Sequence, residues 1–368
     1  MDKQNDLQYM NLALELASRA RGRTSPNPIV GAVIVKDQDI IGRGYHKRAG
    51  MPHAEVEALR EAGHLAQGAT LYVSLEPCCH QGRTPPCTRA VIEAGIKRVV
   101  IATLDPNPLV AGKGMTTLQQ AGITSEVGLL QDEAKRLNEF FFKYIQEQRP
   151  FVTLKVAMTL DGRIASHKGD SRWITSPVAR EYVHHLRNAY DAIMVGIGTV
   201  LADDPQLNTR LDMEDRRDPV RVIIDGELDL PLKSRIAQSS HQQPSLLFCN
   251  KVKRDSQAQA LQELGVEIIE LGGEGSMVPL EPVLHELGRR GFCSLLLEGG
   301  AELNASMLGR RLVDKVHWMV APKIIGGRTA PGPVGGPGLD LMEQALELKD
   351  VEYERLGPDV LFTAYTGW

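Results

Sequence analysis

Two short stretches, "PHAEVEAL" from Pro52 and "EPCCHQGRTPPC" from Glu76, restrict the fold of this 368-residue chain more than any other feature. If His53 of the first shares a metal ion with cysteines of the second, a helix start, the end of a strand and a second helix start must meet at one point. Pro52 predicts a helix opening at His53, Pro85 and Pro86 predict another just before Cys87, and Cys78 directly follows a strand reading "TLYVSLE". Positive helix ends there favour thiolates. Singly, His53 reads as a helix-opening histidine and each cysteine as a small hydrophobe. Together they match the inventory of a hydrolytic zinc site: three protein ligands, an open position for water, and a carboxylate, Glu55, to move protons.

Length alone calls for two hydrophobic cores. Leu7, Met10, Leu14 and Ala17 recur at helical spacing and predict a helix over 7–20. "IVGAVIVK" and "IIGRGYH" then read as a hairpin, and "TLYVSLE", "TRAVIEAG" and "KRVVIATLD" as strand, helix and strand, an α/β alternation. The first domain is expected over 1–148. "NEFFFKYIQEQRP" reads as a join whose aromatic side chains pack between domains. A second α/β domain, 149–368, carries the strand candidates "FVTLKVAM", "DAIMVG", "VRVIIDG", "SLLFC", "GVEIIEL", "CSLLLEGG" and "VHWMVAP". "GGRTAPGPVGGPG" at 326–338 is expected to be a surface or cofactor-side loop.

Composition narrows the partners. A net charge of −4 without any basic run argues against a nucleic-acid or membrane surface and favours small-molecule chemistry. No apolar stretch approaches the ~20 residues that cross a bilayer, and the N-terminal segment lacks the apolar core of a secretory signal. Five cysteines, an odd number with three between 78 and 87, suit a reduced, metal-binding set and a cytoplasmic location.

The zinc-deaminase signature is H-x-E followed by P-C-x-x-C. Here "HAE" and "PC" fit, but Cys87 comes nine residues after Cys78. That longer loop, together with "PNPIVGAVIV", "GYHKRAGMPHAE", "DPNPLVAGKG", "LKVAMTLDGRIA", "WITS", "TVLADDPQLNTR", "LLLEGGAELNASML" and "APKIIGG", resembles the bifunctional riboflavin-biosynthesis deaminase/reductase family along the whole chain. The resemblance implies an α/β fold, a cytidine-deaminase-like α/β/α domain followed by a dihydrofolate-reductase-like α/β domain. It implies Zn2+ on His53, Cys78 and Cys87 with Glu55 catalytic, and leaves Cys79 as a spare thiol; Cys79 in place of Cys78 is the open alternative. It further implies that Asn27, His46, His80 and Arg83 bind the pyrimidine substrate. An amide such as Asn27 both donates and accepts, and an arginine such as Arg83 suits a phosphate ester. As plain residues, Asn27 between two prolines reads as a turn, and His80 and Arg83 as a solvated loop.

In the second half, "SLLLEGGAELNASML" reads as strand, glycine pair and helix start, an arrangement that lets backbone N–H groups approach a phosphate. It is not the G-x-G-x-x-G fingerprint, and such a pair is by itself a tight turn. The resemblance implies NADPH, contacted by Ala157, Trp173, Thr199, Asp203 and the segment Gly300, Ala301, Glu302, Leu303, Asn304, Ala305 and Ser306. It implies substrate contacts from Ser171, Arg187, Leu207, Arg210 and Glu298, the two arginines clamping a phosphate while Glu298 meets sugar hydroxyls. Lys155 falls on a strand of the same half. The implied chemistry is deamination of 2,5-diamino-6-(5-phosphoribosylamino)pyrimidin-4-one, then NADPH-dependent reduction of the ribosyl group of 5-amino-6-(5-phosphoribosylamino)uracil, by a homo-oligomer, a dimer being favoured. The rivals are a nucleoside or tRNA-base deaminase with an accessory binding domain, and a structural zinc protein with no turnover.

Overall fold

The structure, a computed structural model, describes residues 3–80, 85–251, 255–272 and 277–368. The chain divides into two compact units, Met1–Arg149 and Pro150–Trp368.

The first unit runs α1 (Lys3–Ser18), β1 (Gly31–Lys36), β2 (Asp39–Tyr45), α2 (Ala54–Ala62), β3 (Thr70–Val73), α3 (Cys87–Glu93), β4 (Arg98–Ile101), α4 (Lys113–Gln120), β5 (Thr124–Val127), α5 (Gln131–Leu137) and α6 (Glu139–Glu147). Its sheet has the order β2-β1-β3-β4-β5. The β1–β2 hairpin is antiparallel, β1 pairs antiparallel with β3, and β3, β4 and β5 are parallel. Side chains alternate across the sheet, so Ile34, Leu71 and Val73 meet Ala54, Ala58, Val91 and Leu118 on one face. Val33, Val35 and Tyr72 meet Met10, Ala13, Leu16 and Ala134 on the other. Helices thus cover both faces, an α/β/α sandwich.

One sequence reading changes here. "TLYVSLE" is a strand only to Val73: Ser74 Oγ accepts from Gly31 N at 3.0 Å, and Glu76 accepts from the backbone N–H groups of Asp105, Gly112 and Met115 at 3.2, 2.9 and 3.0 Å. The alternating pattern continues past the ladder, but the side chains bind loops. "NEFFFKYIQE" is helical, Phe141, Tyr144 and Ile145 line a cavity of this unit, and the boundary between the units follows at Arg149 and Pro150.

The second unit runs β6 (Phe151–Thr159), α7 (Pro177–Ala189), β7 (Ala192–Gly196), α8 (Ile197–Asp203), β8 (Val220–Ile224), α9 (Arg235–Gln238), β9 (Ser245–Cys249), α10 (Asp255–Glu263), β10 (Val266–Glu270), α11 (Leu280–Arg289), β11 (Ser294–Leu297), α12 (Ala301–Gly309), β12 (Lys315–Ala321), β13 (Lys349–Leu356) and β14 (Asp359–Tyr365). The sheet order is β10-β9-β8-β7-β11-β6-β12-β14-β13. From β10 to β12 every pairing is parallel; the β13–β14 hairpin closes the other edge antiparallel. Val152, Leu154, Met194, Val222, Leu295 and Leu297 pack against Leu280, Val283, Leu284, Leu287 and Met307 of α11 and α12. The carboxyl ends of β6, β7 and β11 lie side by side where the strand order departs from the chain order, the place at which open parallel sheets bind ligands.

Candidate functional site

His53 is the N-cap of α2, Glu55 lies in its first turn, and Gly44 of β2 lets that turn approach: a Cβ on Gly44 would stand 2.2 Å from Ala54 O and 2.5 Å from Ala58 N. Cys87 opens α3, and its backbone N–H donates to Cys78 Sγ at 3.3 Å. His53 Nδ1 lies 3.6 Å from Cys78 Sγ and 3.2 Å from Cys87 Sγ, and the three donor atoms fall within 4.8 Å of one another. Cys79 is outside this set, its Sγ directed to Leu109 O at 4.0 Å.

The donor set suits a metal. A hydrogen bond from Cys87 and others from His53 and the Cys87 backbone bring the Cys78 thiol down to about 4, while that same bond and burial push Cys87 up. Two adjacent thiolates need a cation between them, and one imidazole with two thiolates leaves the fourth tetrahedral position of zinc open. Glu55, 3% exposed, is raised to about 7 by burial and then by the charge of Cys78.

A cavity of about 440 Å³ opens beside these groups, lined by Asn27, His46, His53, Glu55, Cys78 and His80, with Phe141, Tyr144 and Ile145 as an apolar wall. His46 Nδ1 donates to Pro52 O at 3.1 Å, so Nε2 accepts from Asn27 Nδ2 at 3.2 Å. One of the two N–H groups of the Asn27 amide is thereby used, and its oxygen and second N–H remain for a ligand. Arg83 lies outside the described residues. The wall residues were not singled out as site residues, although 141, 144 and 145 have the i, i+3, i+4 spacing of one helix face.

The second unit has a cavity of about 380 Å³ at the carboxyl ends of its strands. Ala157, Ser171, Trp173, Arg187, Thr199, Asp203, Leu207, Arg210, Glu298, Gly300 and Asn304 line it, together with Lys155, Arg172 and Arg235. Ala301, Glu302, Leu303, Ala305 and Ser306, in α12, are not lining residues, and Glu302 Oε1 instead accepts from Gly336 N at 3.4 Å. The 326–338 stretch carries no helix or strand, and Pro333 within it lines the cavity.

Glu298 leaves the end of β11 with its backbone N–H on Met194 O at 3.0 Å. Arg187 grips it at both oxygens, Nε–Oε1 2.8 Å and Nη2–Oε2 3.0 Å, and Lys155 Nζ stands 3.2 Å from Oε2. Burial raises this carboxyl, but the two cations outweigh it and hold the group well below the usual carboxylate range. Arg187 also donates to Asn208 O at 3.1 Å. Arg187 is thus paired with Glu298 at the cavity wall, whereas Arg210, on the same cavity, has no acidic partner among the described residues. At the glycine pair, Asn304 Nδ2 donates to Pro333 O at 2.9 Å while its buried Oδ1 has no partner, and a Cβ on Gly299 would fall 2.8 Å from that oxygen. A bare backbone turn, an unspent acceptor and several arginines in one cavity fit a phosphate-bearing nucleotide.

Residues 3–103 match the cytidine and deoxycytidylate deaminase zinc-binding region, and residues 150–362 match the RibD C-terminal domain. The riboflavin biosynthesis protein RibD of Actinobacillus pleuropneumoniae is 45% identical over 357 residues, 97% of this chain and 94% of that protein. RibD of Escherichia coli is 44% identical over 366 residues, 96% and 98%. Among solved structures, Acinetobacter baumannii RibD has a TM-score of 0.88 at 41% identity, covering 99% of both chains. The diaminohydroxyphosphoribosylaminopyrimidine deaminase/5-amino-6-(5-phosphoribosylamino)uracil reductase of Thermotoga maritima has 0.87 at 39%, covering 98% of this chain and 99% of that one.

Fold and sites together define a two-headed enzyme, a cytidine-deaminase-like zinc domain followed by a reductase domain that uses NADPH. The chain belongs to the RibD family, the bifunctional deaminase/reductases of riboflavin biosynthesis. It acts on small molecules, and no helix among the described residues is long and apolar enough to cross a membrane.

Proposed function

We propose that residues 1–148 deaminate 2,5-diamino-6-(5-phosphoribosylamino)pyrimidin-4-one and residues 149–368 reduce the resulting 5-amino-6-(5-phosphoribosylamino)uracil at its ribosyl group. The observation that carries this reading is the meeting of His53, Cys78 and Cys87 within 4.8 Å beside a buried carboxylate, in a chain with a second, arginine-lined cavity.

His53, Cys78 and Cys87 hold the zinc. Zinc supplies there the positive charge that makes water a nucleophile near neutral pH. Glu55, poised near 7, takes the proton of the attacking water and delivers it to the departing amine, so water enters, ammonia leaves and a ring carbonyl remains. Asn27 accepts from a pyrimidine N–H through its oxygen, His46 holds Asn27 in that orientation, and Phe141 and Tyr144 cover the ring. His80 adds a polar contact at the cavity and Arg83 reads the phosphate ester.

NADPH supplies the hydride of the second reaction. Ala157, Trp173, Thr199 and Asp203 contact it, and the 300–306 segment offers backbone N–H groups at the start of α12. Ser171, Leu207 and Arg210 meet the phosphorylated substrate, Arg210 on the phosphate. Arg187 and Lys155 keep Glu298 ionised at the wall of the cavity.

The working form is a homodimer in the cytoplasm. Support comes from the edge strand β13, exposed along nearly its whole length with Val351 56% and Tyr353 76% exposed; an open strand edge offers backbone groups for pairing with a second copy. Free thiols at the metal centre suit a reducing compartment, and a cavity of about 440 Å³ suits a nucleotide-sized ligand over nucleic acid. Stripping the metal with a chelator tests the core of the reading. Ammonia release from the diamino compound should stop while NADPH oxidation with the aminouracil continues; loss of both activities, or of neither, counts against it.

A further inference from the structure

Behind the reductase cavity lies a buried polar knot that neither reaction explains. Arg221 of β8 is fully buried and makes no ion pair among the described residues. Its Nη2 donates to Gln243 O at 2.6 Å, and its Nη1 donates to Ser239 Oγ at 2.8 Å and, at the outer limit, to Gln206 O at 3.5 Å. Gln243, 5% exposed, uses one amide nitrogen twice, on Leu207 O at 3.2 Å and Pro219 O at 2.8 Å. A buried cation without a direct ion pair is costly, the charge of Asp218 offsetting burial only in part, and apolar side chains of the same volume would fill the space better. Stability of the core therefore does not account for this pair.

What the knot holds is the segment between α8 and β8, which has no helix or strand over 204–210. Its backbone is fastened from outside at consecutive residues: Gln206 O by Arg221, Leu207 O by Gln243, Asn208 O by Arg187, Thr209 N by Asp218 at 2.6 Å, and Arg210 N by His184 at 3.3 Å. Burial, then the nearby Arg187 and Arg210, hold His184 down to about 4, so its Nδ1 is free to accept. Leu207 sits at φ 57°, a left-handed conformation that a leucine adopts only when its surroundings impose it. The same turn brings Leu207 and Arg210 to the cavity wall.

We propose that Gln243, backed by Arg221, is a positioning residue of the reductase: by fixing the backbone at Leu207 it sets where Arg210 meets the phosphorylated end of the pyrimidine substrate. The inference rests on the reductase reading above and goes beyond it, since Gln243 touches neither cavity nor ligand.

Gln243→Met keeps length and removes both donated bonds. In the full-length chain at saturating NADPH, KM for 5-amino-6-(5-phosphoribosylamino)uracil should rise about tenfold, the equivalent of ~1.4 kcal/mol. The value of kcat should stay within about twofold, and KM for NADPH and the rate of ammonia release should not move. Gln257→Met is the control, because Gln257 tethers Leu230 O at 2.8 Å in the same manner away from the cavity, and its KM should equal that of the parent. A purely structural Gln243 would lower the melting temperature and the yield of active enzyme without shifting KM, and an unchanged KM in folded Gln243→Met overturns the proposal. Should that variant not fold, Asp218→Ala removes an exposed tether of the same segment and should raise KM a few-fold; a parental KM there overturns it equally. If the parent enzyme itself does not oxidise NADPH with this pyrimidine, the reductase reading fails first, and separately.

Discussion

Cys78 and Cys79 are adjacent and chemically identical, yet only Cys78 accepts the Cys87 N–H and approaches His53. Elemental analysis should find about one zinc per chain in Cys79→Ala and almost none in Cys78→Ala, Cys87→Ala or His53→Ala, because three protein ligands complete the site. Retention in Cys78→Ala with loss in Cys79→Ala would reverse the ligand choice. Glu298 sets a second test. Its carboxyl is held low in the folded state, so its stabilising contribution is complete above the unfolded carboxylate value of ~4.3 and is lost as pH falls through that value toward the folded one. Glu298→Gln leaves two largely buried cations without their carboxylate and should cost about 2–4 kcal/mol in denaturant titrations at pH 7. The gap should stay flat down to about pH 5 and narrow below about pH 4; a gap that widens in acid would contradict the assignment. The metal donors were legible in the sequence because proline and helix-start signals announce them. The Arg187–Glu298 pair was not, because its members lie 111 residues apart and only the β11–β6 and β11–β7 pairings bring their elements together.

Helix α2 delivers both His53 and Glu55, and its position depends on a glycine opposite it. Gly44→Ala would drive a methyl group into Ala54 O, forcing the first turn of α2 outward. Zinc content and ammonia release should both fall at least about tenfold, with NADPH oxidation on the aminouracil unchanged; a variant with full metal and full deamination would show that the close approach does not seat the site. Helix α6 plays a different part. Tyr144→Ala should raise KM for the diamino compound several-fold through lost ring contact while zinc content stays at the parental level. The strands with near-continuous apolar runs, β1, β6, β7 and β11, could be read from the chain. β5 could not, since none of its residues is buried, and β13 is exposed along nearly its whole length. The "TLYVSLE" reading overran because Ser74 and Glu76 keep the alternation of a strand while serving as loop anchors.

Across the whole chain, each unit has its own sheet, core and cavity, with the His53–Cys78–Cys87 cluster and Glu55 in the first and the arginine-lined cavity in the second. That segregation makes the order of the two reactions a matter of substrate chemistry: a site that pairs with the carbonyl created by deamination leaves buried groups unsatisfied against the amine. The direct test supplies the full-length protein with 2,5-diamino-6-(5-phosphoribosylamino)pyrimidin-4-one and NADPH and follows ammonia and NADPH together, in the parent and in Glu55→Gln. In the parent, ammonia should appear first and NADPH loss should follow, approaching equal amounts. In Glu55→Gln, both should fall at least ~100-fold with this substrate while NADPH oxidation on 5-amino-6-(5-phosphoribosylamino)uracil proceeds at the parental rate. Oxidation of NADPH by Glu55→Gln on the diamino compound, without release of ammonia, would contradict it.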